Sequence, residues 1–225
     1  MEAVPIVGGT GALGFGLAVR LAHAGVPVVV GSRDAGRGAE AAARVRERVP
    51  GADVEGLLSA EAAVRGPIVI LAVPFRAQSE NLANLRSALS EDQILVDATA
   101  PVAAAVSGRA TRLLGVPQGS AAQQAQEMVP RGVTVVSALH TVSARVLADL
   151  DRDLDEDVLI TGDSADAKRR VAEVIARVRG LRPVDCGRLE TARLVEGITP
   201  LLISINTRHK THAGIRVTGL PEVLW

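Results

Sequence analysis

The chain has 225 residues with 25 basic and 25 acidic side chains, so its zero net charge gives no bulk attraction to nucleic acid or anionic membrane. Its longest uncharged apolar run, GPIVILAVPF, falls far short of the roughly 20 residues a membrane span needs. One cysteine excludes an internal disulfide framework and suits a reducing cytoplasm, while 1% aromatic content leaves little to stack on single-stranded bases.

MEAVPIVGG leads straight into a strand, without the basic and apolar regions of a secretory leader, so a soluble cytoplasmic protein is expected. Residues 4–7 read as that strand, and residues 12–24 as a helix offering Leu13, Leu17, Val19 and Leu21 for packing. Residues 28–30 form a continuous apolar strand of the kind buried on both faces. Residues 35–49, rich in Arg, Glu and Ala, predict a solvated helix. A weak strand near 52–55 and a short helix from Ser59 follow. Residues 68–73 and 94–96 are further buried strands, with an amphipathic helix over 76–89 between them. Helix-length connections between apolar strands predict an α/β fold of Rossmann type, a doubly wound parallel sheet. Pro5 fits a central first strand poorly because it has no amide to donate, so a bulge or a late start is expected there.

Residues 99–130, rich in Ala, Gln, Ser and Gly, are weakly patterned. VTVVSALH and DVLITGDS resume strands, and ADAKRRVAEVIARVRG reads as a helix ending at Gly180. LRPVDCG is a last strand, and RLETARLVEGITPLLISINTRHK a long, mostly apolar helix interrupted by Pro200. A soft boundary near 145 divides a nucleotide-binding unit (1–145) from a smaller C-terminal α/β unit (146–225) suited to packing or dimerisation.

Gly9-Thr10-Gly11-Ala12-Leu13-Gly14 matches G-x-G-x-x-G between a strand and a helix. In a dinucleotide site the first glycine makes the tight turn and the second lets the pyrophosphate approach the backbone. The third packs helix on strand, and the helix N-terminus faces the phosphates. Glycines serving only a strand-to-helix turn are the plainer reading, and the flanking elements weigh against it. An NAD site places Asp or Glu about twenty residues on, at the end of the second strand. Here that corner is Gly31-Ser32-Arg33, with Arg37 one turn further. A carboxylate would repel a 2′-phosphate. An arginine pairs with it, and Ser32 and Thr10 add neutral donors, so NADP(H) is expected. The alternative lets Asp34 hold an NAD ribose while Arg33 faces solvent.

The nicotinamide end should lie beyond the later strands, at Val73-Pro74-Phe75, Asp97-Ala98-Thr99 and Ser137-Ala138-Leu139-His140-Thr141. These segments offer no metal-ligand cluster, no cysteine nucleophile and no lysine. Hydride transfer suits such a site, because the coenzyme carries the chemistry and the protein orients it. His140 is the one group there that ordinarily titrates near neutrality. It either donates to the acceptor or fixes a ring, or else bonds to the backbone at a strand end.

GGTGALGFGLAVRLA, VVVGSR, VVSALHT, DVLITGD…AKRRV, GLRPVDCGRLETARLVEGITPLLISIN and AGIRVTGL together resemble the NADPH-dependent reductases of the deazaflavin coenzyme F420, over nearly the whole chain and in matching order. The resemblance implies direct hydride exchange between NADP(H) and coenzyme F420, with the two rings stacked in one cleft and a homodimer joined through the C-terminal part. It implies that Thr10, Ser32, Arg33 and Arg37 hold the 2′-phosphate, and that His140 and Val142 flank the nicotinamide and deazaflavin. Phe75 and Ser143 stand where archaeal members often carry Trp and Pro, and DATAPV and Pro5 also depart from the pattern. His209, Lys210 and His212 are either contacts for an acidic coenzyme side chain or a solvated helix end. Alternatives are an NADPH-dependent reductase of a free flavin, imine or oxo acid, and a non-catalytic NADP(H)-sensing module.

Overall fold

The computed structural model describes residues 2–221 and 225. Along the apolar strands, neighbouring side chains serve opposite faces of one sheet. Ile6, Ile70, Val96 and Val136 enter one hydrophobic core, while Val7, Leu71, Leu95 and Val135 enter a second. Both faces being covered, strands β1 (Val4–Val7), β2 (Val28–Ser32), β4 (Ile68–Leu71) and β5 (Ile94–Asp97) are buried at every position. With β3 (Val54–Leu58), β6 (Thr134–Ser137), β7 (Glu156–Gly162) and β8 (Leu181–Asp185) they make an eight-stranded sheet in the order β3-β2-β1-β4-β5-β6-β7-β8. The first six strands run parallel, β7 turns antiparallel to β6, and β8 runs parallel to β7. This is the doubly wound arrangement expected, with the order reversal between β1 and β4.

Helices α1 (Ala12–His23), α2 (Ala35–Arg48), α6 (Ala144–Leu147) and α7 (Ala165–Ala176) supply the first core through residues such as Leu17, Val45, Leu147 and Val171. The short α3 (Ser59–Ala63), α4 (Gln78–Leu85) and α5 (Ala121–Met128) supply the second through Ala63, Leu82 and Ala125. The long α8 (Ala192–His209) begins against that second core and packs Val195 on Leu159 and Val184 of β7 and β8. Among the described residues no helix is long and apolar enough to cross a membrane.

Several expectations need correction. The 76–89 helix starts as a tight 3₁₀ turn at Phe75–Ala77 and continues only as α4 to Leu85. Segment 99–130 holds a 3₁₀ turn at Ala103–Val106, a bridge between Val102 and Leu113, and α5, whose N-cap Ser120 accepts from the Gln123 amide at 3.0 Å. Pro200 does not interrupt α8, which runs through it; packing of this buried proline offsets the hydrogen bond that the Glu196 carbonyl forgoes. Pro5 needs neither a bulge nor a late start. The Val4 and Gly8 amides donate towards β2, so the alternate residue Pro5 faces β4, where pairing begins only at Ile6. Gly66 makes room there, since a Cβ on it would stand 2.9 Å from Pro5 Cδ.

Described residues on both sides of position 145 contribute to the one sheet and to the first core. Arg20 of α1, buried, donates to the carbonyls of Val146 (3.1 Å), Leu147 (3.0 Å), Asp149 and Arg152 (2.7 Å). It thereby satisfies the orphan end of the one-turn helix α6, and the chain is pinned to α1 as it crosses residue 145.

Candidate functional site

The glycine turn forms where β1 must hand over to α1 within four residues. Gly8, one place before the motif, carries the left-handed conformation (φ +82°), and a Cβ on it would lie 2.5 Å from the Ala72 carbonyl oxygen. Gly14 lets α1 sit directly on the turn, since a Cβ there would meet the Gly8 oxygen at 2.5 Å and Gly9 Cα at 2.8 Å. Gly11 is the N-cap of α1 and no side chain caps this end. The amides of the first turn are therefore left to an external acceptor, at the positive end of the helix dipole.

At the end of β2, Ser32 is buried and its Oγ accepts from the Asp34 amide at 3.2 Å. Asp34 Oδ1 in turn accepts from the Arg37 amide at 2.8 Å and caps α2. That structural task accounts for the acid at 34, which the alternative reading gave to an NAD ribose. Arg33 and Arg37 are exposed and make no ion pair among the described residues. One cleft collects Thr10, Gly11, Ser32, Arg33, Arg37, Val73 and Pro74. It also draws in Asp34, the acid of the alternative reading, and Gly8, Ser59, Ala72, Ala77 and Asn81, which sequence reasoning had not singled out. Gly9, Ala12, Leu13 and Gly14 shape the turn without lining that cleft, and half-buried Phe75 lies just past it.

Ala138, His140 and Val142 form a second, buried group at the end of β6, two strand spacings or roughly 10 Å from the end of β4. Leu139 between them holds φ +72°, an unfavourable left-handed conformation for a branched side chain. Burial pushes the His140 imidazole down to about 4, opposed in part by the Thr99 backbone. Both ring nitrogens are buried, and the Thr99 backbone is the polar group the ring faces, as expected for a histidine at a strand end. The His140 carbonyl is also engaged, accepting from Thr199 Oγ1 of α8 at 3.1 Å. A buried imidazole whose charged form is disfavoured is a poor acid near neutrality.

A family model described as NADP oxidoreductase, coenzyme F420-dependent, matches residues 3–101, from β1 to just beyond β5. The F420-dependent NADP reductase of Methanothermobacter thermautotrophicus is 41% identical over 224 residues, spanning 97% of this chain and 96% of that protein. Its namesake from Methanocaldococcus jannaschii is 39% identical over 222 residues, spanning 96% and 98%. The chain belongs to the F420-dependent NADP reductases. A crystal structure of a candidate F420-dependent NADP reductase from Arthrobacter sp. FB24 matches with a TM-score of 0.72 at 27% identity, covering 94% of this chain and 96% of that one.

The chain also carries a sealed polar network beneath the strand ends. Asp97 is fully buried and accepts from the Thr99 amide (3.1 Å), Thr99 Oγ1 (3.1 Å) and Gln78 Nε2 (2.9 Å). Burial pushes its carboxyl up to about 7 against those bonds. Glu196 of α8, also buried, accepts from the Ala121 and Ala122 amides at 2.9 and 3.1 Å and caps α5. Burial pushes it too up to about 7, with nearby Asp97 adding to the shift. The sequence signal for Glu196 was its place as the lone acid in an apolar helix. Asp97 was visible as a strand end, but nothing in its neighbours foretold that Gln78, nineteen residues earlier, would seal it.

Proposed function

We infer that the protein is an oxidoreductase moving a hydride directly between NADP(H) and the deazaflavin coenzyme F420. The observation that carries this is near full-length kinship with F420-dependent NADP reductases, joined to a cleft whose uncapped α1 N-terminus adjoins two unpaired arginines. The first turn of α1 and the Gly9–Gly14 loop hold the pyrophosphate. Arg33 and Arg37, with Thr10 and Ser32, hold the 2′-phosphate by charge-assisted bonds. Val73, Pro74 and Phe75 line the way to the β6 end, where Ala138, His140 and Val142 flank the reacting rings.

The bound coenzymes supply the redox chemistry: a hydride leaves NADPH, and the deazaflavin gains that hydride and one proton. The chain supplies proximity and a dry setting. His140, its imidazole held uncharged by burial, orients a ring, whereas an imidazolium would oppose the positive charge left on the nicotinamide. The proton therefore comes from water. Among the described residues that line the cleft there is no lysine and no carboxyl besides Asp34, which caps α2.

The protein works in the cytoplasm as a homodimer, residues 146–225 providing the contact. Support comes from Leu194 and Leu201, 64% and 57% exposed and seven residues apart on α8, an apolar stripe that water disfavours.

Mixing the protein with oxidised F420 and NADPH tests the reading. Rapid loss of deazaflavin absorbance with NADPH, and far slower loss with NADH, is expected. NADPH binding with no bleaching would retain the nucleotide site and remove F420 as the acceptor.

A further inference from the structure

The cleft changes character across the sheet. Its β2 side is basic, at Arg33 and Arg37, while its β4 side is apolar, built by Val73, Pro74 and Ala77. One polar side chain stands on the apolar side. Asn81, on α4, lines the cleft while only 6% exposed, and its Nδ2 donates to the Ala77 carbonyl at 2.7 Å. That bond fixes how the amide faces, because the reverse orientation would set Oδ1 against another acceptor. Oδ1 and one Nδ2 hydrogen are left over, and no described residue donates to Oδ1. Oδ1 therefore offers the cleft an acceptor that a ligand donor can take.

We infer that Asn81 reads the adenine base of NADP(H), its Oδ1 accepting from the exocyclic amino group. The inference rests on the NADP(H) reading above. With the pyrophosphate at α1 and the 2′-phosphate at Arg33, the base attached to that same ribose needs a flat apolar slot within reach of the corner. The β4 side of the cleft is such a surface. An asparagine amide matches the donor–acceptor edge of adenine, and its free Nδ2 hydrogen serves the neighbouring ring nitrogen. Hypoxanthine carries a carbonyl oxygen where adenine carries the amino group. It would place two acceptors face to face, and Asn81 cannot turn to suit it without losing Ala77. Asn81 is thus a specificity-determining residue that acts on the base, far from the hydride.

The test is binding, followed by the fluorescence of the reduced nucleotide, comparing NADPH with its hypoxanthine analogue. The native protein should favour NADPH by about ten- to a hundred-fold, the range one well-made base contact provides. Asn81→Leu should bring that ratio close to one, mainly by weakening NADPH. Should leucine disturb α4, Asn81→Ala makes the same comparison. A native protein without preference, or a variant that keeps it, overturns the role of Asn81. If the native protein binds neither nucleotide, the NADP(H) reading falls and takes this one with it.

Discussion

Among the described residues Arg33 has no ion-pair partner, so what it offers is a whole positive charge held at the edge of the cleft. Its removal should cost the 2′-phosphate contact alone. We expect Arg33→Ala to weaken NADPH by about 1.5–3 kcal/mol, roughly ten- to 150-fold, and NADH hardly at all. Equal losses for both nucleotides in titrations would remove Arg33 from the phosphate site. His140 presents the opposite case, a group whose charge is suppressed. His140→Ala should slow turnover while leaving NADPH affinity nearly intact, since the binding energy of the phosphates lies elsewhere. With a folded-state value of about 4 against 6.5 in the unfolded chain, the unfolded state binds more protons between those limits. His140 therefore subtracts stability as pH falls through that window and none above it. Thermal melts of His140→Leu should show a smaller acid-side loss than the native protein, and pH–rate profiles above neutrality should show no step from this ring.

At the scale of elements, α5 and α8 meet through one carboxylate. Glu196 serves two amides of α5 that no water can reach. Glu196→Ala should cost on the order of 2–4 kcal/mol in urea unfolding, combining a lost cap with stranded buried donors. Glu196→Gln keeps the shape and one acceptor, and should lie between. The pH dependence separates them from a simple packing defect. Glu196 has its folded value raised to about 7 from 4.5, so its stabilising contribution is complete below about 4.5 and is lost as pH rises towards 7. The native protein should therefore lose stability relative to Glu196→Gln across that interval. A constant difference between the two would show that the carboxyl does not titrate there. The same helix explains why Pro200 misleads as a breaker: proline propensity is local, and burial against β7 and β8 outweighs it.

At the scale of the molecule, the sheet continues past β6 into β7 and β8, and α8 covers them while leaving Leu194 and Leu201 in solvent. Burying that stripe against a second copy would complete the α8 layer. Leu201→Glu should convert a dimer into a monomer by sedimentation or light scattering, with little change in NADPH affinity because the cleft lies at β1, β2 and β4. A native protein that is already monomeric would refute the dimer.

Much of the fold was legible because its signals are local. Continuous apolar runs at 28–30 and 94–96 announce strands buried on both faces, and Gly9-Thr10-Gly11-Ala12-Leu13-Gly14 announces the turn between β1 and α1. The Ser32-Arg33…Arg37 corner was equally plain, since charge type and spacing along a strand end and the following turn are properties of sequence. What tertiary structure decided are contacts between residues distant in the chain. Gly8 must be glycine because Ala72 crosses beside it, and Pro5 is tolerated because β4 begins its pairing one residue later. The His140 imidazole is pushed towards its uncharged form because burial removes its water, and Asn81 points one amide edge into the cleft because the Ala77 carbonyl, in the turn before α4, holds the other. Periodicity reports which face of an element is buried. It is silent on which polar group, tens of residues away, will satisfy a buried donor or leave it for a ligand.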